Sequence, residues 1–231
     1  MFYLLNLVLK QRNEIIHHHV VNKLNKQMNF IKKLFGIKKS VEEESPGNFV
    51  VATLNDKVLP IDRGEIYEDP LDEFIQANGI GEVTGGGTMQ FESGELEYCD
   101  VEIQLNSDEI DENQIKKIIE KLEELGAPKG SKLTIEKTEQ KIEFGKKEGL
   151  GIYLDGINLS DEVYKSSDSE ALAVEIRRLA GIEDNTLRYW QGNTETALYF
   201  YGDSFEHIKN SINDFVSSNP ECENCRIEQI A

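Results

Sequence analysis

A series of apolar patterns that recurs in the same order about one hundred residues later is the feature that most restricts how this chain can fold. Phe49 to Leu54 (FVVATL), followed by Asn55 and Asp56, reads as a strand, and Leu150 to Leu154 (LGIYL), followed by Asp155 and Gly156, reads likewise. A helix expected from Asp69 carries Leu71, Phe74 and Ile75 inward and stops at Asn78 and Gly79. Its counterpart carries Leu172, Ile176 and Leu179 and stops at Gly181. The second helix of each series is the clearest match: Ile115, Ile118, Leu122 and Leu125 recur as Phe205, Ile208, Ile212 and Phe215 at a constant offset of 90, each set spaced along one helical face. Hairpins are expected between the helices, near Gly81 to Thr84 with Tyr98 to Leu105, and near Thr186 to Gln191 with Thr194 to Tyr201. Closing strands fall at Leu133 to Glu136 and Arg226 to Ile230.

The pattern is βαββαβ taken twice. It implies an α+β fold of two tandem ferredoxin-like repeats, each a four-stranded antiparallel sheet with both helices on one face and the other face open. The expected divisions are a basic N-terminal extension and linker at 1–48, a first repeat at 49–136, a connector at 137–148 and a second repeat at 149–231. The offset drops from 101 at the first helices to 90 at the second, which places eleven extra residues in the first hairpin, near Gly85 to Gly94.

Charge is divided unevenly. The chain has a formal net charge of -18, yet residues 1–40 hold eight Lys or Arg against the single acid Glu14, which leaves 17 basic and 42 acidic residues in the rest. Such a body repels nucleic acid and anionic membranes and attracts basic partners, unless its acidity serves only solubility. Ten Phe and eight Tyr supply material for a core. Three cysteines are too few for a disulfide-stapled fold and odd in number, which suits a reducing, cytoplasmic location.

The opening MFYLLNLVLKQRN lacks the basic start and small-residue cleavage site of a signal peptide and is too short to span a bilayer. Met28 begins MNFIKKLFGIKK, which resembles the opening of many bacterial cytosolic proteins, so Met28 is the expected true start. Met28 to Lys39 has the pattern of a short basic amphipathic helix, suited to weak membrane or partner contact, or to a frayed tail. His17, His18 and His19 have no further ligand nearby and read as incidental.

Catalysis has no motif to rest on. No G-x-S-x-G, P-loop, HExxH or EF-hand pattern occurs, and carboxylates are too dense for any pair to signal acid and base work. The glycines of Thr84 to Thr88 precede an extended segment instead of a helix, so they read as a bulged hairpin tip and not a phosphate cradle. Cys222 and Cys225 have CxxC spacing. With Cys99 and His207 they are the one candidate metal set, with thiol redox chemistry or plain turn cysteines as the other readings. Arg188, Trp190, Tyr199 and Tyr201 concentrate on adjacent strands. They serve either as anchors on an open sheet face or as packing between the repeats.

The stretches YEDPLDEFIQANGIGEVTGGGTMQ and YGDSFEHIKNSINDF are similar to those of uncharacterised bacterial acidic proteins, and the size and charge are similar to immunity proteins that neutralise basic toxins. Neither resemblance transfers a residue role. The expectation is a non-enzymatic, cofactor-free module that binds a basic protein through Glu68, Asp69, Asp72, Arg188, Trp190, Tyr199 and Tyr201. The alternative is a small-ligand or nucleotide sensor that uses a cleft between the repeats.

Overall fold

The computed structural model describes residues 48–107 and 109–231. The expectations for the start at Met28, the segment Met28 to Lys39, the three histidines and the linker at 41–47 lie outside these residues. The described residues belong to one compact unit with two antiparallel sheets, one of five strands and one of four.

Strand β1 (Phe49–Leu54) buries Val50, Ala52 and Leu54 against helices and turns Phe49, Val51 and Thr53 the other way, as a period of two requires. The chain then enters α1 (Pro60–Arg63), a wide π turn (Gly64–Glu68) and α2 (Asp69–Ala77). Strands β2 (Gly81–Gln90) and β3 (Leu96–Leu105) form the hairpin. Helix α3 (Glu112–Glu124) starts where the Asp111 carboxylate accepts from the Asn113 N–H, and it buries Ile115, Ile118 and Leu122. Strand β4 (Ser131–Ile135) returns beside β1. The sheet order is β2-β3-β1-β4 with β5 (Gln140–Phe144) added outside β4.

The second half repeats the order with β6 (Glu148–Asp155), a short α4 (Asp161–Ser166), α5 (Ser169–Ala180), β7 (Arg188–Gln191), β8 (Glu195–Gly202), α6 (Phe205–Ser218), a 3-10 turn (Pro220–Cys222) and β9 (Arg226–Gln229). Its sheet order is β7-β8-β6-β9. Ser204 caps α6 as Asp111 caps α3. The halves do not share a core. One cluster forms around Leu54, Ile75, Ile118 and Leu133, and another around Leu150, Ile176, Phe200 and Ile212.

Three expectations need correction. The first sheet has five strands, not four, because β5 lies inside the supposed connector: Ile142 and Phe144 face the core while Lys141 and Glu143 do not, a weak alternation in a polar stretch. The glycines of Thr84 to Thr88 are not a hairpin tip. Gly85, Gly86 and Gly87 continue β2 opposite Glu102, Val101 and Asp100 after a bulge, and the turn is Phe91 to Glu95. Glycine is required at residue 86, where an added Cβ would sit 2.2 Å from the Asp100 carbonyl oxygen and close to Glu68 and Arg63. Finally, the first helical segment begins at Pro60, well before Asp69, and its π turn holds buried Tyr67.

Candidate functional site

The two sheets use their open faces differently. On the second, Leu150, Ile152, Leu198 and Phe200 point to the helices, so alternation sends Tyr153, Ala197, Tyr199 and Tyr201 to the opposite side. Arg188 and Trp190 join them from β7, paired with Tyr199 and Ala197. Room for these rings comes from β6: a Cβ at Gly149 would meet Tyr201 at 2.8 Å, and one at Gly151 would meet Tyr153 at 3.0 Å.

Loop ends of the first repeat sit on this face. The Tyr201 hydroxyl accepts from the Lys57 backbone N–H at 3.0 Å. Tyr153 and Tyr199 donate to Glu95 Oε1 at 3.0 and 2.8 Å, and Lys57 Nζ meets the same oxygen at 2.9 Å. Arg188 grips Asp56 with two hydrogen bonds, Nε to Oδ1 at 2.8 Å and Nη2 to Oδ2 at 3.0 Å, and its Nη1 reaches Asp184. Tyr67 donates to Asp56 Oδ2 at 2.8 Å. The Arg188 and Asp56 side chains are 6% and 1% exposed, so the pair is desolvated and each charge depends on the other.

Ionisation follows from this packing. Burial alone would raise Glu95, but hydrogen bonds from Lys57, Tyr199 and Tyr153 hold its carboxyl below the ordinary range. Burial also opposes ionisation of Asp184, and the neighbouring Arg188 guanidinium outweighs it, so that carboxyl too lies low. Burial pushes the Tyr67, Tyr199 and Tyr201 hydroxyls well up, and carboxylates nearby add to the effect.

Beside this contact a cleft of about 600 Å³ opens between the repeats, with Ile66 and Leu125 on one side, Ile182 and His207 on the other, and Arg188 and Tyr201 within. Its volume suits a small molecule. Three of the five Arg188 N–H groups are already committed to carboxylates.

The open face of the first sheet stays wet. Its cross-strand rows run Gly85, Glu102, Val51, Thr134 and Gly87, Asp100, Thr53, Lys132, with Met89 opposite Tyr98. Val51, Thr53, Tyr98 and Asp100 are half-exposed, while Glu102 is exposed and Met89 is 47% exposed. Asp100 Oδ1 is buried and has no hydrogen-bond partner among the described residues. β2 is a ten-residue edge strand bordered by exposed Glu65, Asp69, Glu73 and Glu82.

The candidate residues named from sequence therefore separate. Arg188, Tyr199 and Tyr201 are buried between the repeats and Trp190 packs beside them, so the exposed-anchor expectation gives way to internal packing. Glu68 pairs with buried Arg63 at 2.6 Å, and Asp72 accepts from the Val83 N–H at 2.8 Å, which ties α2 to the start of β2; Asp69 stays exposed. The metal set does not assemble. Cys99 lies in the first core, Cys222 and Cys225 border the second, exposed His207 lines the cleft, and no metal-binding cluster occurs among the described residues. Sequence reasoning missed Asp56, Lys57 and Glu95; charged residues at the ends of apolar strands were their only signal. Among the described residues no helix is long and apolar enough to cross a membrane.

No protein-family model and no curated protein matches the chain. Solved structures similar at low identity include two of note. One is described as an unknown protein from Galdieria sulphuraria, at 9% identity over 79% of this chain and 96% of that chain, with a TM-score of 0.24. The other is the first two RRM domains of yeast poly(U)-binding protein Pub1, at 13% identity over 79% and 99% of the respective chains, with a TM-score of 0.22. Neither likeness carries an argument about function.

Proposed function

We propose that both halves are ferredoxin-like βαββαβ units and that the chain is a non-enzymatic, cytoplasmic binding module, of the regulatory or toxin-neutralising kind, whose first repeat engages a basic protein. The observation that carries this reading is the contrast between the open faces. The second is consumed by internal contacts, whereas the first presents Glu102, Met89 and Tyr98 beside an edge strand flanked by acids. Unpaired edge groups can accept an extended segment, and the surrounding carboxylates favour a basic one. Nucleic acid is disfavoured by the same charge.

Quantitative capture of a basic partner at low and moderate salt tests the reading, with the intact chain compared with Glu102→Lys combined with Met89→Ala, and with Val174→Ser on α5 as a remote control. Loss of capture in the face variant alone, with salt-sensitive capture by the intact chain, supports it. Equal capture by all three removes the first face from the function.

A second reading rests on the cleft beside Arg188, which suits a small ligand. Raised thermal stability with a metabolite, lost on His207→Ala and unaffected by Glu102→Lys, would favour it.

A further inference from the structure

The turn that carries the CxxC pair has a geometry that no binding role for the first repeat requires. Cys222 ends the 3-10 turn and is buried in the second core, while Cys225 is half-buried immediately before β9. The Cys225 N–H donates to the Cys222 carbonyl at 3.1 Å across Glu223, at φ -59 and ψ 134, and Asn224, at φ 61. These angles are those of a type II turn, which brings the first and fourth Cα atoms within about 7 Å. Disulfides span Cα separations of roughly 4.4–6.8 Å, so the two thiols can join without remodelling the strand. Both residues line an open depression of about 650 Å³ with Asn213, Val216 and Ile227, which gives a small molecule access to the sulfurs.

We propose that Cys222 and Cys225 form a reactive dithiol that exchanges with low-molecular-weight disulfides and closes a reversible internal disulfide. Cys225 is the attacking group because it is the more accessible. The Cys222 thiol hydrogen-bonds to it and lowers its pKa to about 7, against burial, so much of it is thiolate near neutrality. Cys222 holds its proton, first through that hydrogen bond and then through burial and the neighbouring anionic sulfur. Cys99 is an internal contrast, buried in the first core with its thiol pushed well up by burial.

In the first step the Cys225 thiolate attacks one sulfur of the external disulfide. A mixed disulfide forms, the external bond breaks, and the departing thiolate takes a proton from water. The anion that held up the Cys222 pKa is then gone. Cys222 loses its proton to water and attacks the Cys225 sulfur, the internal disulfide forms, and the second external thiol leaves and is protonated. Two protein thiols are oxidised and one external disulfide is reduced to two thiols. The loop closed is so short that it constrains the unfolded chain little, so the linkage acts chemically and not as a staple. Acidic Glu221 and Glu223 stand on either side of Cys222 and favour a cationic disulfide over an anionic one.

The test treats the reduced full chain with cystamine and follows the products by alkylation and peptide mass mapping. The expected product has a Cys222–Cys225 linkage and an unreacted Cys99. Cys222→Ser should stop at a cystamine adduct on residue 225, and Cys225→Ser should react about tenfold more slowly than the intact chain, in line with the lost thiolate. If either variant fails to fold, the product map of the intact chain decides. A persistent adduct on Cys225, a linkage through Cys99, or a rate no faster than that of the denatured chain overturns the proposal.

Discussion

Register allows the open faces of the two sheets to be compared residue by residue. Gly149, Gly151 and Tyr153 on β6 stand opposite Tyr201, Tyr199 and Ala197, whereas Phe49, Val51 and Thr53 on β1 stand opposite Gln104, Glu102 and Asp100. The second face removes side chains from one strand, which leaves room for the rings beside it, and it ends the rings of the next strand in hydroxyls that reach Glu95, Asn55 and Lys57. The first face fills the equivalent positions with ordinary strand residues and charges. One scaffold thus supplies an internal joint in one copy and a hydrated surface in the other, and the choice is made by side chains at equivalent register positions.

The largest expected effect falls on the joint. Arg188→Met leaves the Asp56 carboxylate buried without its cation and should cost about 3–5 kcal/mol in urea unfolding. A loss under about 1 kcal/mol would mean that the second face is as wet as the first, and the contrast would fail. Adding Asp56→Asn should recover part of the loss, because the stranded charge is then gone.

Exchanging a register-equivalent pair sharpens the comparison. Gly151→Val gives the second face the residue of the first and forces branched carbons onto Tyr153 and Ile230, at an expected cost of about 1–3 kcal/mol. The reciprocal Val51→Gly meets no such crowding and should cost only about 1 kcal/mol through backbone entropy and lost strand packing. Equal costs would show that the glycines are not making room for the rings.

The joint also carries part of the pH dependence. The folded pKa of Glu95 lies below its ordinary value of 4.5 and that of Asp184 below 3.8, so the unfolded chain takes up protons first as the solution is acidified. Their contribution is fully present above those ordinary values and is lost as pH falls through the lowered folded ones. The tyrosines act at the other end: their raised folded pKa values make stability decline once pH rises above the ordinary value of 10.0. Unfolding midpoints across the acid range should flatten in Glu95→Gln. An unchanged slope would remove Glu95 from the acid sensitivity and leave Asp184 as the joint's acid-sensitive group.

Much of the scaffold was legible in the sequence because it depends on local period. Ile115, Ile118 and Leu122 share a helical face, and so do Ile208 and Ile212, and all five are buried. The strand alternation in β1 and β6 was equally plain. What was not legible depends on distance. Asp56 and Arg188 lie 132 residues apart, and nothing local in either marks the other as its counter-ion. Tyr199 and Tyr201 were readable as leaving the helix-covered core, but alternation cannot say whether water, a partner or the other repeat awaits them. β5 was missed because Ile142 and Phe144 sit among the charged or amide residues Glu139, Gln140, Lys141 and Glu143, too diluted for a period of two to stand out.

The smallest expected effect on stability is the one that bears most on function. Glu102 is exposed in mid-strand, with Gly85 and Val51 as its cross-strand neighbours, and no ion pair involving it occurs among the described residues. Glu102→Lys should therefore move the unfolding free energy by no more than about 0.5 kcal/mol. The reversal changes the local charge by two units beside the acidic β2 edge, so it should slow association with a basic partner, with the difference from the intact chain shrinking as salt is raised. A variant that loses binding equally at all salt concentrations would indicate a steric contact in place of electrostatic attraction. One that keeps its binding rate while Arg188→Met, at a temperature where it remains folded, loses it would reverse the assignment of the two faces.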